Sequence, residues 1–285
     1  MSNAKYAVFT MDVEAFSDTD CLRSSGPQAE RDLMDGFDRY MEILDRYGIK
    51  STLFTVGNLA PRISDRLQRC LDRGHRLALH SMDHTVAMDL PPEQFRQQTG
   101  AAREALCNLF HTEVTGFRAP CFSIDKERLE ILKELGFHYD SSYLGFPLAR
   151  HTVTLDLGEF QRLRPNVFRQ KDFFEFGLSL QRVLGFPFPI SGGGYVRLLH
   201  WGIMKYLIQR HIHRNDYYVF YLHPFELTAQ QIPRIPRLNP RDQYYLHAGI
   251  RSYGQKIEQI IQMLRQAGYQ FVTFEELTQI IGSEA

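Results

Sequence analysis

The feature that most constrains the fold is a strict alternation of short apolar runs with amphipathic segments. Residues 6–11, 51–56, 76–79 and 114–117 have the length and composition of buried strands. Between them, apolar residues recur at helical spacing, as in residues 30–47, and glycines commonly mark where the helical pattern stops. Strands that alternate with helices favour a parallel sheet, so the sequence predicts a parallel α/β fold of the barrel type.

The second half of the chain is less regular. Residues 139–194 predict short strands and long loops that shape a cleft, and the glycine run at 192–194 predicts a turn where the backbone allows a close approach. Residues 196–214 predict one amphipathic helix that packs on the core, with a helix on a membrane surface or in a lipid groove as the alternative. Ser252 with Gln255 predicts a capping box for a later helix. We found no linker-like composition and expect one domain over residues 1–285.

Composition narrows the class of protein. The chain has 285 residues, of which 44% are hydrophobic, and Lys+Arg and Asp+Glu number 33 each. This balance gives no overall attraction to nucleic acid or to an anionic membrane. No signal peptide and no run of 18 apolar residues is present, so we expect a cytoplasmic protein without a transmembrane segment.

Reactive side chains recur where predicted strands end. His80 and His84 follow a strand, and if the chain turned into a helix there, both rings would share one face. Asp12, Arg118 and His223 also lie at or just beyond the carboxyl ends of strands. Those ends form one rim of a parallel barrel, so we expect a shared site.

Such a set suggests hydrolytic chemistry. Two histidines and one carboxylate can hold a divalent metal, while a second carboxylate accepts a proton from water and a separate histidine protonates a leaving amine. Arg118 could hold that second carboxylate by a bidentate contact. The alternative readings are that Arg118 is a structural ion-pair partner and that His223 is an ordinary histidine of the rim.

The motifs resemble those of the polysaccharide deacetylase family, carbohydrate esterase family 4. The resemblance lies in Asp12-Val13-Glu14, His80-Ser81-x-x-His84, Arg118-x-Pro120 and Leu222-His223-Pro224. Residues 140–142, 191–195 and 221–226 further resemble a subgroup that acts in exopolysaccharide and cell-surface polysaccharide biosynthesis. The resemblance implies a distorted parallel (β/α) barrel with fewer than eight regular strands.

It also implies residue roles. Asp12 would be the base, Arg118 would orient it, and His223 would be the general acid. Glu14, His80 and His84 would hold the metal, zinc or in its place nickel or cobalt. A valine separates the two carboxylates, where the family more often has adjacent aspartates. The roles of Asp12 and Glu14 could therefore be exchanged, or Glu14 could lie outside the direct ligands of the metal.

The expected activity is the removal of an N-acyl group, acetyl above all, from an amino sugar that is lipid-linked or nucleotide-linked. Pro120, Tyr195 and Trp201 are expected to bind the substrate, with Trp201 and the basic end of its helix seating a carrier lipid at the inner face of the membrane. Two alternatives remain open. One is an amidohydrolase that acts on a small amide without metal, and the other is a catalytically silent carbohydrate-binding protein.

Overall fold

The computed structural model describes residues 4–19, 21–22, 33–145, 155–236 and 238–284. Its first half alternates strands and helices as the sequence predicts. The elements are β1 (Lys5–Val13), α1 (Asp35–Arg46), β2 (Ser51–Thr55), α2 (Ser64–Asp72), β3 (Arg76–Leu79), α3 (Pro92–Phe110), β4 (Gly116–Phe117), α4 (Lys126–Glu134) and β5 (Tyr139–Asp140). The first residues of the helix predicted over 30–47 lie outside the described residues.

The second half has short strands before it returns to helices. Its elements are β6 (Gln161–Arg164), β7 (Val167–Gln170), β8 (Phe173–Phe176), β9 (Leu180–Val183), β10 (Phe186–Pro189), α5 (Gly193–Leu198), α6 (Trp201–Ile212), β11 (Tyr217–Phe220), α7 (Pro240–His247), α8 (Ile250–Gln266), β12 (Tyr269–Phe271) and α9 (Phe274–Glu284). Among the described helices, none has the length and hydropathy that crossing a bilayer requires.

The sheet is a curled, mostly parallel half-barrel, which confirms the predicted fold class. Its strand order is β11-β1-β2-β3-β4-β5-β8-β7-β6, parallel from β11 to β8 and antiparallel from β8 to β6. β12 pairs with Lys5–Ala7 at the start of β1. It lies on the same edge of β1 that pairs with β2 over Phe9–Val13. The barrel is distorted because β4 and β5 have only two residues each.

Alternation along β1 explains how the barrel presents its functional groups. Ala7, Phe9, Met11 and Val13 belong to the core between the sheet and the helices. Tyr6 and Val8 belong to a second core, with residues of the other strands, inside the barrel. Since side chains two apart share a face of a strand, the inner row continues through Thr10 to Asp12 at the carboxyl end of the strand.

Two element predictions for the second half were wrong. The helix predicted over 196–214 is interrupted between α5 and α6, because the Lys256 ammonium group donates to the carbonyl oxygens of Val196 and Arg197, at 3.0 and 2.8 Å. Ser252 is no cap, since α8 begins two residues earlier and the Ser252 hydroxyl donates to the Gly249 carbonyl oxygen.

The glycine run provides the close backbone approach that the sequence predicts. Gly192 has φ of 120° and forms a parallel bridge with Tyr221, directly after β11. A Cβ atom on Gly192 would lie 2.1 Å from the Tyr221 carbonyl oxygen. Only a residue without a side chain allows this contact.

Candidate active site

Two carboxylates stand at the carboxyl end of β1. Asp12 is the last inward-facing residue of the strand, and its amide donates to the Leu222 carbonyl oxygen at 3.0 Å. The Glu14 amide donates to the Asp12 carbonyl oxygen at 3.1 Å, which turns the chain just after the strand. Both side chains are almost fully buried and line the same cavity.

The two predicted metal-ligating histidines come together through a loop and not through a helix. His80 directly follows β3, and its amide donates to the Thr55 carbonyl oxygen at 2.9 Å. Ser81 and His84 both have positive φ, and the Ser81 hydroxyl accepts the His84 amide at 2.9 Å. The loop places the two rings 5.0 Å apart, so the helical geometry considered for this spacing is not what joins them.

Glu14, His80 and His84 form a buried cluster with the donors that a divalent transition metal requires. The Glu14 carboxylate lies 2.7 Å from His84 Nε2 and 3.9 Å from His80 Nε2. The three ligand atoms lie within 4.8 Å of one another. One oxygen and two nitrogen donors on a buried wall fit a site for zinc or a similar ion that leaves a coordination position open.

The ionisation of this cluster also suits a metal. Burial lowers the pKa of His80 to about 4, which leaves its ring neutral. Its Nδ1 lies 2.8 Å from the Arg118 carbonyl oxygen, so Nδ1 carries the proton and the Nε2 lone pair faces Glu14. Burial would raise the pKa of Glu14, but His84, His223 and His80 outweigh it and bring that pKa down to about 2.

Arg118 is the fully buried hub behind Asp12. Its Nη1 donates to Asp12 Oδ1 at 2.6 Å and to the Thr10 hydroxyl at 2.9 Å. Nη2 donates to the Ser141 hydroxyl, and Nε donates to the Ser141 carbonyl oxygen. The predicted bidentate contact between Arg118 and Asp12 is therefore wrong. The guanidinium also lies 4.0 Å from the centre of the Phe54 ring, which fixes its plane.

A hydrogen-bonded group of Ser142, Asp140 and Glu175, not predicted from the sequence, lies next to Arg118. Ser142 accepts the Ala119 amide at 2.8 Å, and its hydroxyl donates to Asp140 at 2.8 Å. Glu175 accepts the amides of Ser142 and Tyr143. Burial raises the pKa of Asp140 to about 6 and that of Glu175 well above its usual range, so the two carboxyl groups share a proton.

His223 faces Asp12 across the site, with Nε2 4.0 Å from Asp12 Oδ2. Its Nδ1 and its amide both lie 3.1 Å from the Glu226 carboxylate. Burial lowers the pKa of His223, but Glu14, Glu226 and Asp12 oppose burial and raise it to about 10. The ring is therefore a cation at neutral pH and carries a proton that it can donate.

Glu226 is held in turn by Arg197, whose Nε donates to it at 2.9 Å while both side chains are fully buried. Sequence reasoning gave neither residue a role. The signal available was the spacing of His223 and Glu226, because a carboxylate three residues after a helix start commonly accepts the amide of the cap residue. No sequence pattern pointed to Arg197, which comes from α5.

The cavity that joins these groups has a volume of about 330 Å³. Besides Asp12, Glu14, His80, His84 and His223, its described lining includes Ala119, Cys121, Phe122, Tyr221, Arg241 and Tyr245. The structure thus brings the predicted base, acid and metal ligands to one space, with Arg118 directly behind them.

The three residues predicted to bind substrate are not among the described residues that line this cavity. Pro120 is buried in a short 3-10 turn, Pro120–Phe122. The other two residues of this turn, Cys121 and Phe122, line the cavity. Tyr195 lies in α5 with its ring 6.2 Å from that of Phe188. Trp201 begins α6, where its indole N–H donates to Gln259 Oε1 at 2.8 Å.

Comparison with known proteins gives two family matches. Residues 26–139 match the family described as polysaccharide deacetylase, and residues 145–279 match a domain of unknown function, DUF3473. A peptidoglycan deacetylase-like protein of Gibberella zeae is 32% identical over 112 residues, which is 39% of this chain and 33% of that protein. The chain spans only 33% and 40% of the lengths of the two curated relatives that it matches.

Solved structures show the same fold. A Mycobacterium smegmatis protein that is named after the polysaccharide deacetylases aligns with a TM-score of 0.66 at 16% identity, covering 100% of this chain and 93% of that one. A CE4 family pseudoenzyme of Bacillus anthracis aligns with a TM-score of 0.54 at 13% identity, covering 98% and 66%. Residues 26–139, the segment that matches the polysaccharide deacetylase family, include His80, His84 and Arg118.

Proposed function

We propose that this chain is a metal-dependent carbohydrate N-deacetylase that removes an acetyl or related acyl group from an amino sugar during synthesis of a cell-surface polysaccharide or glycolipid. The observation that carries the proposal is the meeting of Glu14, His80 and His84 with Asp12 and His223 in one cavity. A substrate of this chemistry presents an amide carbon to a water molecule and a nitrogen that must leave as an amine.

The residues divide the work between them. Asp12, held by Arg118, is placed to accept the proton of the attacking water. His223, already protonated at neutral pH, is placed to donate to the departing nitrogen. A divalent metal held by Glu14, His80 and His84 would supply a Lewis acid that polarises the acyl oxygen and lowers the pKa of a bound water toward ~7.

The two alternatives make different demands on this site. An amidohydrolase that needs no metal has no use for a buried group of one carboxylate and two histidines with one neutral ring. A silent carbohydrate-binding protein has no use for a protonated His223 opposite Asp12. The fold itself does not decide between activity and silence, because one structural neighbour is described as a pseudoenzyme. The retained groups of this chain favour an enzyme.

Acetate release tests the proposal directly. The purified protein, loaded with zinc, nickel or cobalt in turn, is incubated with N-acetylglucosamine oligomers, peptidoglycan fragments and nucleotide-linked N-acetyl sugars. We expect acetate from at least one of them, with loss of activity after chelation and recovery on adding metal. Activity that survives chelation would support the small-amide alternative, and sugar binding without acetate from any of the three classes would support the silent one.

Substitution of the two carboxylates separates their roles. Asp12→Asn keeps the shape but cannot accept a proton, so turnover should fall by ~10²–10⁴ with the metal still bound. Glu14→Gln removes an anionic ligand, so metal affinity should fall and activity should partly return at high metal concentration. Asp83→Asn is the matched control, because Asp83 is exposed in the same loop and its Oδ1 accepts the Thr85 amide.

Metal content by elemental analysis and turnover are measured on all three variants. If Asp12→Asn loses the metal and Glu14→Gln keeps it, the roles of the two carboxylates are exchanged. If neither Asp12→Asn nor Glu14→Gln changes metal content, neither carboxylate binds the metal, and the proposed mechanism needs another anionic ligand.

A further inference from the structure

The turn of the β9–β10 hairpin carries apolar side chains that folding does not explain. Val183 pairs with Phe186, which leaves Leu184 and Gly185 as a two-residue turn with φ of 49° and 87°. Turns of this kind favour asparagine, aspartate or glycine at both positions, since other residues are strained at positive φ. Leu184 is nevertheless 94% exposed and Phe186 is 75% exposed. The hairpin tip holds two large apolar groups in water, and one of them is in a strained conformation.

A second apolar strip lies beside the hairpin, on α6, which packs against β9. Met204, Leu207 and Ile208 form the buried face of this helix. Ile203 and Tyr206, three residues apart on the outer face, are 60% and 58% exposed. Apolar side chains therefore occur on both faces of the first two turns of this helix, which a helix that only covers a core does not need.

The charge around these groups has one sign. Residues 176–215 contain no aspartate or glutamate, although the whole chain has as many acidic as basic residues. The same stretch contains Arg182, Arg197, Lys205, Arg210 and Arg214. Arg197 is neutralised by Glu226 inside the protein, whereas Arg182 lies at the hairpin, with Nη1 3.2 Å from the Gly185 carbonyl oxygen. The segment that carries the exposed apolar groups is thus basic throughout.

We propose that this hairpin–helix face docks on an anionic phospholipid surface. The face consists of Leu184, Phe186, Ile203 and Tyr206 with the cations Arg182, Lys205 and Arg210. Apolar side chains that enter the region between headgroups and acyl chains gain burial, and nearby lysine and arginine are attracted to anionic headgroups. A protein partner would more often supply its own carboxylates to a mixed surface, whereas a uniformly basic apolar face matches a lipid surface best.

The orientation of α6 gives this docking a direction. The last carbonyl of the helix, Ile212, accepts a hydrogen bond from Lys5 at the start of β1, so this end lies at the bottom of the barrel. The apolar first turns of α6 therefore point to the end where β11 leads to His223. A lipid surface on the hairpin–helix face would lie beside the rim that carries the cavity. Trp201, the residue expected to seat a lipid, begins α6 and donates to Gln259, and its role stays a prediction.

Vesicle co-sedimentation tests the proposal with no sugar substrate present, so its outcome is independent of the proposed deacetylase activity. The full chain is mixed with vesicles of phosphatidylcholine alone or of phosphatidylcholine with phosphatidylglycerol. We expect binding to the anionic vesicles that is weakened by salt and is much weaker on the neutral ones. The double variant Leu184→Asp/Phe186→Asp should reduce binding by about tenfold or more, because both apolar insertions are lost.

Two further variants define the surface. Lys205→Glu/Arg210→Glu should reduce binding to anionic vesicles only. Leu109→Asp is the matched control, because Leu109 is also an exposed apolar residue, at 40%, but lies on α3, and its substitution should leave binding unchanged. Circular dichroism and thermal melting verify that every variant folds.

The proposal is overturned if the wild type binds neither vesicle, or if the hairpin variant binds like Leu109→Asp. It is also overturned if light scattering shows a dimer that Leu184→Asp/Phe186→Asp dissociates while vesicle binding is absent, since the face would then join two copies of the chain.

Discussion

At the scale of single residues, the environment of a histidine decides its chemistry in this protein. Burial lowers the pKa of His75 and of His80 to about 4, so both rings are neutral. His223 is buried as well, yet Glu14, Glu226 and Asp12 outweigh burial and raise its pKa to about 10. One residue type is thus neutral at one position, as a metal ligand must be, and charged at another, as a proton donor must be.

Glu226→Gln tests the origin of this difference. The glutamine side chain still offers an oxygen to the backbone N–H of His223, but the negative charge beside the imidazole ring is lost. The pKa of His223 should therefore fall. Because the acid form of His223 is needed for the proposed turnover, the pH at which activity declines should be lower in the variant than in the wild type. A bound metal weakens the contribution of Glu14, so both profiles are measured with the same metal loading.

The pH profile of kcat is the measurement, and metal content is the control. His223→Ala should lower turnover by ~10²–10⁴ at every pH while the metal is retained. An unchanged alkaline limb in Glu226→Gln would show that Glu226 only holds the backbone.

The residues of the site were predictable to different degrees from the sequence. Asp12, Arg118 and His223 followed from their places at the carboxyl ends of predicted strands. Arg197 did not, because its role depends on α5 folding back onto Glu226, 29 residues away. Contacts of this kind depend on tertiary structure and leave no periodic signal.

At the scale of elements, the junction between the glycine run and β11 is the most demanding piece of backbone. Gly192→Ala places a Cβ 2.1 Å from the Tyr221 carbonyl oxygen at a φ of 120°. We expect the free energy of unfolding to fall by about 3 kcal/mol or more, through both overlap and strain. Gly48→Ala is the control, since Gly48 has a φ of 60° but nothing within 4 Å, and should cost about 1 kcal/mol.

Urea unfolding of the two variants provides these values. Equal losses would show that the backbone at Gly192 can move away from Tyr221. The break between α5 and α6 illustrates why the sequence was insufficient here, because the interrupting group, Lys256, comes from α8 and lies 59 residues from Arg197.

The pair of Asp140 and Glu175 predicts how stability depends on pH. Burial and the neighbouring carboxyl raise the pKa of Glu175 in the folded state well above its usual range. The folded protein therefore binds a proton that the unfolded chain has lost, so this contribution is present at low pH and declines as pH rises. Glu175→Gln keeps an acceptor for the two amides but cannot lose a proton.

We expect the difference in unfolding free energy between Glu175→Gln and the wild type to shift in favour of the variant between about pH 5 and pH 8. Urea unfolding at both pH values measures it. A difference that is independent of pH would mean that the two carboxyl groups do not share a proton.

At the scale of the whole molecule, the alternation of strands and helices was enough to predict the class of fold, because the parallel barrel follows from local periodicity. The half-barrel shape was not predictable from that pattern, since the two-residue strands β4 and β5 carry little periodicity of their own.

A hydrogen bond that the sequence did not predict links separate segments of the second half of the chain. The side chain of Ser179 accepts the Val219 amide at 2.9 Å and so links the segment after β8 to β11. That residues 1–285 form a single domain stays a prediction.

The acid-free stretch of the chain has a further physical consequence. Since five cations and none of the acids lie in residues 176–215, the remainder carries 28 basic against 33 acidic residues. With the proposed hairpin–helix face positive and an excess of acidic residues in the rest of the chain, the protein would carry a dipole moment although its formal net charge is zero. Near a negatively charged surface such a molecule experiences a torque, because its positive end is attracted and its negative end is repelled. The protein would arrive already turned, with its orientation selected over a distance of about a Debye length, ~8–10 Å, before any side chain makes contact.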